Sequence, residues 1–164
     1  MCVRQRHRAL TRPIRFKAMT DSKVFWRSLA TWFVIMLFES TNGTVREVLL
    51  VPEFGDASAR RISFATGILL IFCISMAMIR WINAHNAGTL LLIGLLWMAL
   101  TVVFELGVGL LMGQSVEKIL ADYDPVQGGL MAYGIVYLGC MPLAAARLRG
   151  LFGRARTYDL ERRY

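Results

Sequence analysis

Histidine and cysteine are scarce in this chain, and most site chemistry is excluded with them. Of 164 residues only two are His and three are Cys. His7 and His85 stand alone in the sequence and read as solvated side chains. Cys2, Cys73 and Cys140 make no CxxC and no paired spacing, so neither a disulfide framework nor a thiolate metal site is signalled. Cys73 and Cys140 lie within apolar runs and are expected to pack as small hydrophobes. No HExxH, GxSxG or phosphate-cradling glycine loop occurs. The expectation is a protein that is not an enzyme, with no cofactor and no metal. Acidic residues are missing before Asp21, and the same stretch lacks the apolar core of a cleavable secretory signal.

What is abundant is hydrocarbon. Apolar residues make up 56% of the chain, while the formal net charge is +8. The mean hydropathy is +0.50, too apolar for an ordinary soluble surface. The length allows one domain. A basic chain that binds nucleic acid carries its cations on one soluble face, interleaved with aromatics. Here the cations lie at the two ends and the middle is lipid-like, so no nucleic-acid partner is expected.

Residues 1–23 read as a basic cytoplasmic arm without fixed structure, with Met19 an alternative start because "MTDSKVFW" runs straight into the first apolar segment. Four apolar segments follow: Val24 to Thr44, 62–79, Thr89 to about Met112, and 129–146. A spanning helix needs about 20 largely apolar residues. An open sheet edge cannot sit in lipid, so the fold class is all-α, a polytopic bundle of four transmembrane helices over 24–147. Residues 148–164 read as a basic cytoplasmic tail. Of the nineteen Lys and Arg, only Arg46, Arg60, Arg61 and Lys118 fall on the side opposite the two termini. The positive-inside rule then puts both termini in the cytoplasm. In helix number and basic ends the chain resembles small four-helix bacterial inner-membrane proteins. That implies a multi-pass location in the inner (plasma) membrane. No family motif accompanies the resemblance, so no residue role is carried over.

Trp26, Trp32, Trp81 and Trp97 read as interface anchors, as do Arg80 and Arg147. The two outer connections begin with helical apolar spacing, and Pro52 and Pro125 are expected to stop those pieces. Glu117, Asp122, Tyr123 and Asp124 read as a solvated acidic patch.

The chain also echoes itself. Phe38, Glu39 and Gly43 return as Phe104, Glu105 and Gly109. Ala65, Gly67, Cys73 and Arg80 return as Ala132, Gly134, Cys140 and Arg147. Two tandem helical hairpins, about 24–80 and 89–147, follow from this. They are expected to be parallel repeats related by a pseudo-two-fold axis along the membrane normal. Glu39 and Glu105 then sit at one depth, about 22–25 Å from the cytoplasmic helix ends.

Glu39, Asn42, Gly43 and Arg46 fall at i, i+3, i+4 and i+7, one stripe on one helix face. A charge facing lipid costs several kcal/mol, so the stripe should face protein or a water-filled cavity. Gly43, Gly109 and Gly113 are candidate close-packing positions. The structural reading of Glu39 is an ion pair with Arg46 that holds helices together. The functional reading is a proton- or cation-binding carboxylate. Two anions brought together in low dielectric cannot both stay ionised easily, so one of the Glu39–Glu105 pair would keep its proton.

Three functions are weighed. The preferred one is an accessory or interaction subunit that uses the polar stripe for helix packing in a larger membrane complex. The second is a proton- or cation-coupled carrier or channel with Glu39 and Glu105 as the coupling site, as a homodimer because four helices enclose little volume. The third, a membrane enzyme acting on a lipid or quinone, has least support. Membrane lipid is the expected surround in each case.

Overall fold

The computed structural model describes residues 22–127 and 129–151. The basic arm before Ser22 and the tail beyond Leu151 lie outside the described residues, and the start at Met19 with them. All regular structure described is helical, with no strand among the described residues. Four long helices carry the fold: α1 (Ser22–Val45), α3 (Asp56–Ile82), α4 (Ala87–Leu111) and α6 (Met131–Leu148). Two short ones lie in the connections, α2 (Val51–Phe54) and α5 (Val116–Ala121).

α3, α4 and α6 are each long and apolar enough to cross a membrane. α1 matches them in length at 24 residues but is less apolar, because Lys23, Arg27, Glu39 and Asn42 interrupt it. The outward faces carry large apolar side chains such as Phe33, Leu69, Leu95 and Val103, each more than half exposed. Cys73 and Cys140 are free and also point outward, on the apolar surface rather than in the core.

Local chemistry fixes the helix ends. Gly55, at φ 74°, separates α2 from α3, and Asp56 then places an acid in the first turn of α3. Asn83 closes α3 in the left-handed region, with its N–H on the Ile79 carbonyl at 3.3 Å. Asn86 caps α4 by accepting from the Gly88 N–H at 2.9 Å. Ser115 does the same for α5 through the Lys118 N–H. Pro142 sits buried inside α6 without ending it.

Pro52 does not stop its segment. It lies in the first turn of α2, and the chain stays helical to Phe54. A proline removes one donor and crowds the carbonyl four residues back. The turn before it, Arg46–Leu50, widens to π-helical spacing, with the Val51 N–H on the Arg46 carbonyl. That wider turn absorbs the clash. Pro125 instead opens a 3₁₀ turn, Pro125–Gln127, after α5 has already ended.

The long helices close a ring in the order α1, α3, α6, α4. α4 meets α6 most closely at Gly94 and Gly139. A Cβ at Gly94 would collide with the Gly139 carbonyl oxygen. α1 and α4 run parallel and are joined by two indole donors. Trp97 Nε1 donates to the Ser28 carbonyl at 3.0 Å, and Trp32 Nε1 to Thr101 Oγ1 at 3.0 Å. Trp97 is therefore no interface anchor: it is fully buried at the centre, among Ile35, Ile93 and Leu138. Trp26 and Trp81 do lie exposed near helix ends. A two-fold axis along the bundle that superposed one hairpin on the other would set α1 and α4 at opposite corners. In this ring they are neighbours, so the ring does not display that axis.

Candidate functional site

Each end of the bundle has its own charge. Lys23, Arg27, Arg80, Arg147 and Arg149 mark the end where α1 begins and α3 finishes. All eight acids among the described residues lie toward the opposite end. The polar stripe of α1 climbs into that acidic end.

Glu39 lies against α3 at Gly67. A Cβ on Gly67 would stand 2.7 Å from Glu39 Oε2, so the absent side chain is what makes room for the carboxylate. Glu39 Oε1 is buried and finds no hydrogen-bond partner among the described residues. One turn further along both helices, Asn42 Nδ2 donates to the Ser63 carbonyl at 2.9 Å. Glu39 on Gly67 and Asn42 on Ser63 are thus successive rungs of the α1–α3 seam. The Asn42 amide also neighbours the Glu39 carboxylate.

Arg46 does not pair with Glu39. Its Nη2 and Nε donate to Glu47 Oε1 at 2.8 and 3.1 Å, a half-exposed local pair. Such pairs contribute at most about 1 kcal/mol.

Glu105 reaches the same level from α4. Glu39 lies about 26 Å along α1 and Glu105 about 27 Å along α4, at 1.5 Å per residue from the basic end. α1 and α4 are parallel neighbours, and the Glu105 charge bears on Glu39. The charges that bear on Glu105 are Arg46 and Asp122. Glu105 is half-buried and makes no ion pair among the described residues.

The connection after α4 folds over this level. Gly113, exposed and at φ 74°, ends α4, and the Gln114 N–H returns to the Gly109 carbonyl at 3.0 Å. Gly109 is buried under Ile119 of α5, whose Cδ1 would lie 2.7 Å from a Cβ there. Gly43, by contrast, has open space where its Cβ would be. Arg60 of α3 holds the connection in place, donating to Asp122 Oδ1 at 3.0 Å and to Asp56 Oδ2 at 3.3 Å. Next to that clamp, Tyr123 carries a buried hydroxyl with no hydrogen-bond partner among the described residues. Burial pushes the Tyr123 phenol above its ordinary value, and Glu105 and Asp122 push the same way.

Sequence reasoning named both carboxylates and missed Gly67, Ser63 and Tyr123. Gly67 was visible only as a term in the echo with Gly134. Tyr123 sits inside an acidic loop segment that reads as solvated. No group of three His, Cys, Asp or Glu side chains gathers to hold a metal among the described residues. Chemically, the arrangement is two carboxylates, one of which holds a buried acceptor oxygen that meets no donor among the described residues. Comparison of the chain with protein-family models, curated proteins and solved structures found no match.

Proposed function

We propose that this is a multi-pass membrane protein whose activity centres on a proton- or cation-binding pair, Glu39 and Glu105, of the kind that couples a small carrier to an ion. The observation that carries this reading is the Glu39 carboxylate, seated on Gly67 with a buried Oε1 that has no hydrogen-bond partner among the described residues. An acceptor left unmet in a buried place costs about 1–3 kcal/mol. A bound proton or cation removes that cost. In this reading α1 crosses the membrane with α3, α4 and α6, as the fourth span. Its cations at the basic end and its carboxylate near the other face fit a cytoplasmic basic end. The two hairpins are a sequence duplication whose copies closed into a ring, and a second copy of the chain supplies the enclosed volume that four helices lack.

A second reading is an accessory subunit of a larger membrane complex. It is favoured by the rest of the stripe, since Asn42 is used on the Ser63 carbonyl and Arg46 on Glu47. These are packing roles, not ligand roles.

Glu39→Gln separates the two. It keeps the shape and removes the charge. The coupling reading expects Glu39→Gln and Glu105→Gln to fold with melting temperatures near wild type. Both should lose a proton- or cation-dependent flux signal in proteoliposomes of the purified chain. Should both mutants keep the wild-type signal, or should the chain purify only with a stoichiometric larger partner, the subunit reading replaces it.

A further inference from the structure

At the basic end a different polar feature stands beside an apolar cleft. Arg27 of α1 donates through Nη1 to the Trp81 carbonyl at 3.0 Å. Its guanidinium carbon lies 5.6 Å from the Trp81 ring centroid. The hydrogen bond and the ring together fix the direction of the guanidinium. Next to it an open cleft of about 370 Å³ runs between α1 and α3, lined by Ala30, Thr31, Val34, Met78 and Trp81. The only hydroxyl in that lining, on Thr31, donates to the Arg27 carbonyl at 2.8 Å. What remains of the wall is apolar, and it suits a hydrocarbon chain.

Charge identifies what carries that chain. Lys23, Arg27, Arg80, Arg147 and Arg149 gather at this end, and none of the described acids does. Among the described residues one Arg27 donor is used, on the Trp81 carbonyl, while a guanidinium has five. The rest of the fork suits a phosphodiester, which accepts in bidentate fashion. A zwitterionic headgroup would set an ammonium among these cations, so the cluster selects against it.

We propose that the α1–α3 cleft and Arg27 form a binding site for one anionic phospholipid. Its acyl chain lies along Ala30, Val34 and Met78, and its phosphate sits on Arg27 with Arg80 at the rim. The site is independent of the carboxylate pair, which lies about 18 Å further along α1.

The test uses the full chain in nanodiscs made of equal parts phosphatidylglycerol and phosphatidylcholine. Lipid retained after detergent extraction is counted by native mass spectrometry. Wild type should keep one phosphatidylglycerol per chain in clear excess over phosphatidylcholine. Arg27→Ala should lower that preference roughly fivefold, the share of one basic residue at a membrane surface. Ala30→Trp fills the cleft, leaves Arg27 in place, and should lower retention of both lipids. It keeps the test decisive should Arg27→Ala fail to fold. Equal retention of the two lipids by wild type would overturn the proposal. So would unchanged retention by Ala30→Trp, or full displacement of the lipid by inorganic phosphate.

Discussion

Glu39 and Gly67 depend on each other. The carboxylate occupies the space that any other residue at position 67 would fill. Gly67→Ala should therefore move the carboxylate while leaving its chemistry intact. We expect its ion-dependent signal to fall as far as that of Glu39→Gln, with stability changed by no more than about 1 kcal/mol, since alanine also favours the helix. Gly43→Ala, in open space, should leave the signal unchanged. A flux or ion-binding assay on the two alanine variants, side by side, checks this. The stripe of Glu39, Asn42 and Arg46 was legible in the sequence because helical spacing alone puts those positions on one face. Their partners were not. Spacing says which way a side chain points and nothing about what it meets, so Ser63 and Gly67 waited for the packing of α3. The expected Glu39–Arg46 pair has the same history. Opposite charges two turns apart suggest contact, but Glu47 is nearer to Arg46 and needs no helix to carry it.

At the scale of elements, the close crossing of α4 and α6 holds the second hairpin together. A Cβ at Gly94 meets the backbone of Gly139, and backbone cannot yield without moving a helix. At Gly139 the added Cβ would meet the Met98 side chain, whose flexible thioether can turn away. Gly94→Ala is expected to destabilise by about 1–3 kcal/mol and Gly139→Ala by less than about 1 kcal/mol. Chemical unfolding in detergent should reproduce that order, and the reverse order would contradict the packing described. Helix positions were readable from the sequence to within a few residues, apart from the early start of α3 at Asp56, because apolar runs of this length leave few alternatives. What happens at Pro52 was not. Proline marks a local break, but a π turn placed just before it lets the helix continue, and only the full backbone shows that choice.

The whole molecule is polarised. Acids and the buried carboxylates lie toward one end, and a cluster of cations lies at the other. That polarity was visible in the sequence as an uneven count of Lys and Arg, because loop charges need no tertiary contact to be assigned. Ring order was not visible: the echo between Glu39 and Glu105 fits an axis along the bundle as well as a ring in which α1 and α4 touch. Most depends on α1. It is the least apolar of the four long helices, and unless it crosses, Glu39 is not inside the membrane at the depth of Glu105. The direct measurement is labelling of single cysteines, in a chain with Cys2, Cys73 and Cys140 replaced, by a membrane-impermeant thiol reagent. Ser22→Cys, Ser58→Cys and Asn86→Cys are suited to it, since all three positions are exposed. If α1 crosses, Ser22→Cys and Asn86→Cys are labelled from one side of the membrane and Ser58→Cys from the other. Labelling of Ser22→Cys and Ser58→Cys from the same side would contradict that crossing.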